Sequence, residues 1–487
     1  MHYLAFDLGG GSGRLMLGTY KDQTLALTKI HQFPNHPIEI HGNLYWDILH
    51  IYDELCTGVR KAVSMTEDSI RSIGFDSFCN DFACISQNGT LLSPVRCYRD
   101  PRTKRCFKRL KSIMPQEELY RITGNQNALF NTLHQLNAMA AENESWLLDH
   151  SDRLIFVSDL FISFLTGQFV TEYTTASVTQ MFDIRKNDWS EEILRKFRIR
   201  KDLFAPIVMP GTAIGKTTDS WNRQIGTKGF SVAAVCQHDT ASAFLASVTP
   251  KDSAIISCGT WSLVGVESSS PVITDFGCKT NIANEGSCPG HHRLLKNVMG
   301  TWPIQEIVRE LSELTYADLE NAASHAPHPS VFIDVDNEIF FEPGNMTDRI
   351  HAYCKKQYGR SFSGIGEMIL SIYESLSFKY RKAIEELEQL TQRPIPCINM
   401  IGGGVSSALM CQITANICKR PVVAGPADAA VYGNLLMQLT ADGQIASVEE
   451  GRKLIRNCIS TQEYTPDTDP IWETDYQNFL TKLRRIL

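Results

Sequence analysis

A strand that carries an acid into a run of glycines and then returns as a second strand restricts this chain more than any other stretch. Phe6-Asp7-Leu8 leads into Gly9-Gly10-Gly11-Ser12-Gly13, and Arg14-Leu15-Met16-Leu17-Gly18 follows with the alternation of a strand. Consecutive backbone N–H groups and the Ser12 hydroxyl offer donors suited to phosphate oxygens, and glycine lets the backbone reach φ > 0 and approach an anion closely. Gly10, Gly11, Ser12, Gly13 and Arg14 are therefore candidate phosphate contacts. Asp7 would stand where a Mg2+ bridging those oxygens could use it. A dinucleotide fingerprint also places glycines after a strand, but it requires a helix directly afterwards. Here Lys21-Asp22-Gln23 turns the chain into a third strand of period two over residues 24–30, so the pattern predicts a β-meander whose first hairpin clasps phosphate.

That meander fits an α/β fold of the actin/hexokinase/Hsp70-like (ribonuclease H-like) ATPase type. At 487 residues the chain exceeds what one hydrophobic core usually serves, so two large domains are expected, here residues 1–245 and 246–487. Residues 254–267 again read strand, tight turn at Gly259-Thr260, strand, at about half the chain length from the first hairpin. Two such hairpins predict a duplicated domain, with a nucleotide and its acceptor in a central cleft.

The charge balance, 47 basic against 54 acidic residues for a net −7, includes no long basic run and argues against a nucleic-acid partner. No stretch of about 18 apolar residues suggests a membrane span, and the first residues carry no export pattern. Fourteen cysteines without a repeated short spacing read as thiols of a reducing cytoplasm. Cys288 with His291 and His292 approaches a metal-ligand spacing but lacks a second half.

The candidate catalytic acid is Asp239. An apolar strand over 232–236 ends at Gln237-His238-Asp239-Thr240, before the small-residue helix that begins near Ala241. α/β enzymes expose reactive groups at such strand ends, and the helix dipole favours the charged acid, though an N-cap role alone would place the same residue there. Residues 366–392 carry apolar residues at the spacing of one helical face, and residues 131–148 also read as helix. A strand over 397–401 then ends in Gly402-Gly403-Gly404 ahead of a helix from about residue 406, a second place for a nucleotide. By contrast Gly211-Thr212-Ala213-Ile214-Gly215-Lys216-Thr217 has one residue too few between its glycines for a P-loop and reads as a connecting loop.

Taken in order, the first hairpin, His238-Asp239-Thr240-Ala241-Ser242, Ser257-Cys258-Gly259-Thr260-Trp261, Leu294-Leu295-Lys296-Asn297-Val298-Met299-Gly300-Thr301-Trp302 and the triple glycine resemble the FGGY carbohydrate kinases across nearly the whole chain. The likeness is strongest to the branch that acts on L-rhamnulose. It implies transfer of the ATP γ-phosphoryl group to the 1-hydroxyl of that small ketose, with Mg2+, by a monomer or homodimer. By position, Asp239 would accept the hydroxyl proton, and Cys79, His238, Asp239, Thr240 and Asn297 would face the sugar. Thr260, Gln305 and Gly403 would contact the nucleotide. The chain departs from the family pattern at Phe78-Cys79, where a Trp-Gly pair is usual, and at Ser407, where an Asn often stands. The first departure keeps L-fuculose and L-ribulose in view as alternative substrates. A non-catalytic sugar or nucleotide sensor on the same fold is the reading of another class.

Overall fold

The structure is a computed structural model that describes residues 1–486. The chain divides into two compact units: residues 1–246 with 268–294 and 429–458, and residues 247–267 with 295–428 and 459–487.

In the first unit the expected meander forms. His2–Leu8 pairs antiparallel with Ser12–Lys21, which pairs antiparallel with Thr24–Pro34. On the other side of His2–Leu8, the strand Ile70–Ser77 runs parallel, followed by Ser231–Ala234, also parallel, and by the antiparallel edge Thr212–Lys216. That edge is the glycine-containing segment expected to be a loop. Ladder pairing with Ser231–Ala234 takes its backbone donors and acceptors, and Gly211 turns the chain into it at φ +84°. Among the described residues, no helix is long and apolar enough to cross a membrane.

The first strand is buried on both faces. Leu4, Phe6 and Leu8 pack with Leu15, Leu17 and the helix Ile48–Met65. That helix begins at Asp47, whose carboxylate accepts from the His50 N–H at 3.0 Å. The opposite side of the sheet meets the helix Ala429–Ala441, which arrives from near the end of the sequence. There Gln438 donates to the Leu4 carbonyl at 2.8 Å. The same helix crosses Asp239–Leu245 so closely that a Cβ added at Gly433 would stand 1.8 Å from the Ser242 carbonyl oxygen. Gly433→Ala in a helix interior would ordinarily stabilise by about 1 kcal/mol. Here the clash reverses the sign, and urea unfolding should show a loss of about 1–3 kcal/mol.

The second unit repeats the strand plan. Ala254–Cys258 pairs antiparallel with Trp261–Ser268 and parallel with Ile398–Ile401, which pairs parallel with Val422–Ala424, and Gln462–Tyr464 closes the edge antiparallel. His292–Met299 lies beside Trp261–Ser268 as Thr24–Pro34 lies beside Ser12–Lys21. The shared order is what a duplicated domain leaves behind. Helix Ile365–Thr391 forms as its apolar spacing requires, burying Ile369, Ile372, Leu376, Ile384 and Leu387. The helix expected over 131–148 is interrupted: Thr132–Ala141 and Trp146–His150 are separated by Asn143 at φ +60°, a left-handed conformation that ends a helix.

Candidate active site

At the end of the first strand, Gly9 N–H donates to the Ser12 carbonyl at 2.9 Å and closes the turn. Asn35 fastens it from outside, its side chain donating to the Gly9 carbonyl at 2.8 Å and its backbone N–H to the Gly11 carbonyl at 3.1 Å. None of Gly9, Gly10, Gly11 or Gly13 has φ > 0, so the conformational reason for these glycines does not hold. Space is the reason at Gly13, where a Cβ would lie 2.2 Å from the Phe33 ring. At Gly11 a Cβ would meet nothing within 4 Å, and this part of the backbone lies open to an approaching anion. Ser12 begins the return strand.

Asp7 and Arg14 face one another across the hairpin. Arg14 grips one Asp7 oxygen through Nε at 2.8 Å and Nη2 at 2.7 Å. In register on the parallel neighbour sits Asp76, fully buried, accepting from Asn434 Nδ2 at 2.6 Å while its Oδ1 has no hydrogen-bond partner. Burial first, then the charge of Asp7, hold the Asp76 carboxyl well above the usual carboxylate range. Asp76 is not among the residues that the sequence pattern singles out. Its signal is an acid near the end of Ile70–Ser77, directly after Phe75 as Asp7 directly follows Phe6.

Asp239 is the first residue of helix Asp239–Leu245, with His238 at the N-cap. Backbone pairing carries this corner to the end of Ile70–Ser77: Ser77 N–H donates to the Gln237 carbonyl at 2.8 Å. Two buried acids hold the approach, Asp159 accepting from Gln237 Nε2 at 2.9 Å and Glu172 from the Gln237 N–H at 3.2 Å. Asp239 Oδ1 accepts from the Thr240 N–H at 2.5 Å and from its hydroxyl at 3.1 Å. Its side chain remains 38% exposed, the availability a base needs. The protein mass around it raises its pKa, the nearby His238 charge opposes that, and the Asp7 charge adds to it.

Behind His238 lies an ion pair that sequence reasoning missed. Arg293 and Glu285, both almost fully buried, approach to 2.9 Å, and Arg293 Nη2 stands 3.1 Å from His238 Nδ1. Burial alone would raise Glu285, but Arg293 and the His238 hydrogen bond outweigh it and leave the carboxyl below its ordinary value. Cys79 belongs to this group: burial, then the charges of Asp239 and Glu285, push its thiol well up. Such a thiol stays protonated and acts as a wall rather than a nucleophile. Its neighbour Phe78 stacks on Trp46 at 4.4 Å between centroids and points into the core. The first unit thus brings together Asp7, Gly10 to Arg14, Cys79, His238, Asp239 and Thr240 with the unforeseen Asp76, Glu285, Arg293 and Asn434.

The remaining expected residues lie in the second unit. Thr260, in its glycine hairpin, donates to Gln305 Oε1 at 3.1 Å, and Gln305 donates onward to the Thr301 hydroxyl at 3.2 Å. Gly300 must be glycine, since a Cβ would stand 2.3 Å from the Gly259 carbonyl oxygen. Asn297 lies on His292–Met299 with a buried Oδ1 that has no hydrogen-bond partner. After Ile398–Ile401, Gly402 turns at φ +84°, and a 3-10 turn Gly403–Ser406 precedes the helix Ala408–Cys418. That helix start is already served: Ser407 accepts from the Met410 N–H at 3.1 Å and Glu320 from the Leu409 N–H at 3.0 Å. The open element is Gly403, where a Cβ would meet nothing within 4 Å, whereas at Gly404 it would stand 2.2 Å from Cys258 Sγ. Gly404→Ala should therefore lower the melting temperature and Gly403→Ala should not, a contrast that calorimetry reads directly.

The donors suit the groups a phosphotransferase handles. The carboxylate oxygens of Asp7 and the orphaned Asp76 Oδ1 are the hard donors that Mg2+ prefers.

Two α/β units of one strand plan, each opening with a glycine hairpin, constitute the actin/hexokinase-like ATPase fold. The chain belongs to the FGGY family of carbohydrate kinases: the family's N-terminal domain matches residues 2–246 and its C-terminal domain residues 254–441. It is 35% identical over 484 residues to the rhamnulokinase of Bacteroides thetaiotaomicron, covering 99% of each chain. With the rhamnulokinase of Bacillus subtilis it shares 33% identity over 490 residues and 100% of both chains. Its fold matches the ligand-bound xylulose kinase of Lactobacillus acidophilus, with a TM-score of 0.82 at 18% identity over 100% of this chain and 97% of that one. The glycerol kinase of Plasmodium falciparum gives a TM-score of 0.78 at 12% identity, again over 100% and 97%.

Proposed function

We propose that this chain transfers the γ-phosphoryl group of ATP to the 1-hydroxyl of L-rhamnulose, giving L-rhamnulose 1-phosphate. The observation that carries the substrate is the likeness to rhamnulokinases over essentially the whole chain. The chemistry rests on Asp239, a partly open carboxylate at a helix N-terminus whose pKa its surroundings raise.

Phosphoryl transfer to an alcohol asks little covalent work of a protein: alignment, charge neutralisation and a proton acceptor. Asp239 accepts the sugar hydroxyl proton, with Thr240 holding the carboxylate in place by its N–H and hydroxyl. Cys79, His238 and Thr240 shape and polarise the sugar side, and Asn297 offers its unpartnered oxygen to a sugar hydroxyl. Arg14 and the amides of residues 10–13 neutralise phosphate charge, while Thr260, Gln305 and Gly403 contact the nucleotide. Asp7, with Asp76 beside it, would hold Mg2+, which when bound neutralises phosphate oxygens. Incubation with ATP, Mg2+ and L-rhamnulose should release ADP and yield a product whose phosphorus couples to the C1 protons by NMR. Release of no ADP above background would remove the proposal, and coupling at another carbon would remove the assigned acceptor.

The base must be ionised to act, so kcat/KM should fall as pH drops through the raised pKa of Asp239. The His238 charge opposes that rise. His238→Ala should accordingly move the acid limb of the pH profile to higher pH, besides raising KM for the sugar.

A further inference from the structure

The second unit contains a cluster unrelated to the sugar kinase residues. His328 follows the helix Tyr316–Ser324, Glu374 lies midway along Ile365–Thr391, and Asp475 is in the first turns of Ile471–Ile486. His328 Nε2 stands 3.7 Å from Glu374 Oε2 and 3.3 Å from Asp475 Oδ2, and one ligand atom from each residue lies within 4.8 Å of the other two. We propose that His328, Glu374 and Asp475 form a binding site for a divalent transition-metal ion such as Zn2+.

The 3.3 Å from His328 to Asp475 is that of co-ligands, and the 3.7 Å from His328 to Glu374 is somewhat longer. Hydrogen-bonded nitrogen and oxygen sit about 2.7–3.2 Å apart, and these atoms are farther apart than that. Ligands placed 2.0–2.1 Å from one tetrahedral ion are separated by roughly 3.3–3.4 Å. Glu374 supplies the second, independent indication. It is completely buried, and neither of its carboxylate oxygens has a hydrogen-bond partner; Asp475 Oδ2, aimed into the same space, also lacks one. A buried carboxylate facing a second carboxylate, with neither of its own oxygens hydrogen-bonded, is costly without a cation beside it. Imidazole with carboxylates suits Zn2+ or Mn2+, and the absence of thiolate makes a soft ion a poor fit. The His328 side chain is about one-third exposed, which gives an entry path and a place for a water as the remaining ligand. Such an ion would tie Ile471–Ile486 to Ile365–Thr391, and its role would be structural.

The test uses full-length protein stripped with EDTA and titrated with Co2+, whose spectrum separates nitrogen and oxygen ligation from cysteine thiolate. Wild type should take up one Co2+ that His328→Ala does not, with d–d bands, no thiolate charge-transfer band and a raised melting temperature. His328→Ala should retain wild-type kinase turnover. Because the histidine is partly exposed its removal leaves the core intact, and Glu374→Gln gives an isosteric second variant whose melting temperature should no longer respond to Co2+. Equal uptake by wild type and His328→Ala, bands of thiolate ligation only, or no uptake at all would overturn the site, and Glu374 would then simply carry a proton.

Discussion

Asp239→Asn is expected to lower turnover by about 10²–10⁴-fold, the usual contribution of a positioned proton acceptor, while leaving ATP and sugar binding near wild type. Asparagine keeps the size of the side chain, and its amide oxygen can still accept from the Thr240 N–H and hydroxyl that now hold Oδ1. What it loses is the basicity required when the sugar hydroxyl attacks. Removing one of three neighbouring acids, Asp7, Asp76 and Asp239, also relieves like-charge repulsion, since Asp239 and Asp7 both raise Asp76. The variant should thus fold at least as stably as wild type, and a loss of rate cannot be ascribed to unfolding. Calorimetric titration with sugar and nucleotide, beside steady-state rates, separates the two effects. Near-normal turnover would show that another group takes the proton.

Arg293→Met should cost about 3–5 kcal/mol of stability, because it leaves the fully buried Glu285 carboxylate without its cation. The pH dependence fixes the cause. In wild type the Glu285 pKa lies below its ordinary 4.5, so the pair stabilises the fold above that value and the contribution is lost as pH falls through the lowered pKa. In Arg293→Met the buried acid is raised instead, and the folded state takes up a proton more readily than the unfolded chain. Its stability deficit should shrink as the solution is acidified below neutrality. Glu285→Gln combined with Arg293→Met should recover most of the loss in urea unfolding. If the double variant is as unstable as the single one, the defect lies in packing and not in charge. Since Arg293 also contacts His238 at 3.1 Å, the repaired double variant should remain impaired toward the sugar.

Local pattern carried the hairpins, the long helix Ile365–Thr391 and the corner at Asp239, because each depends on residues close in sequence: period-two alternation, helical spacing, glycines flanked by strands. Support from a distance was not legible in that way. Asn434 reaches Asp76 from 358 positions away, and Gly433 is required by a helix crossing that no window of the sequence contains. Glu285 and Arg293 sit in the strands Ala283–Gly286 and His292–Met299, and their importance arises from burial, which charge type alone does not announce. The glycines of the first hairpin were recognised for a conformation they do not adopt, while Gly13 is needed for the approach of Phe33. The segment 211–217 shows the converse: its glycines looked like a loop, and sheet pairing made it an edge strand.

The most direct measurement is kcat/KM with ATP and Mg2+ for L-rhamnulose, L-fuculose, L-ribulose, D-xylulose and glycerol under identical conditions. L-rhamnulose should rank first in wild type and lose its turnover in Asp239→Asn. A higher kcat/KM for another of these sugars would contradict the assigned substrate, and no phosphorylation of any of them would contradict the kinase itself.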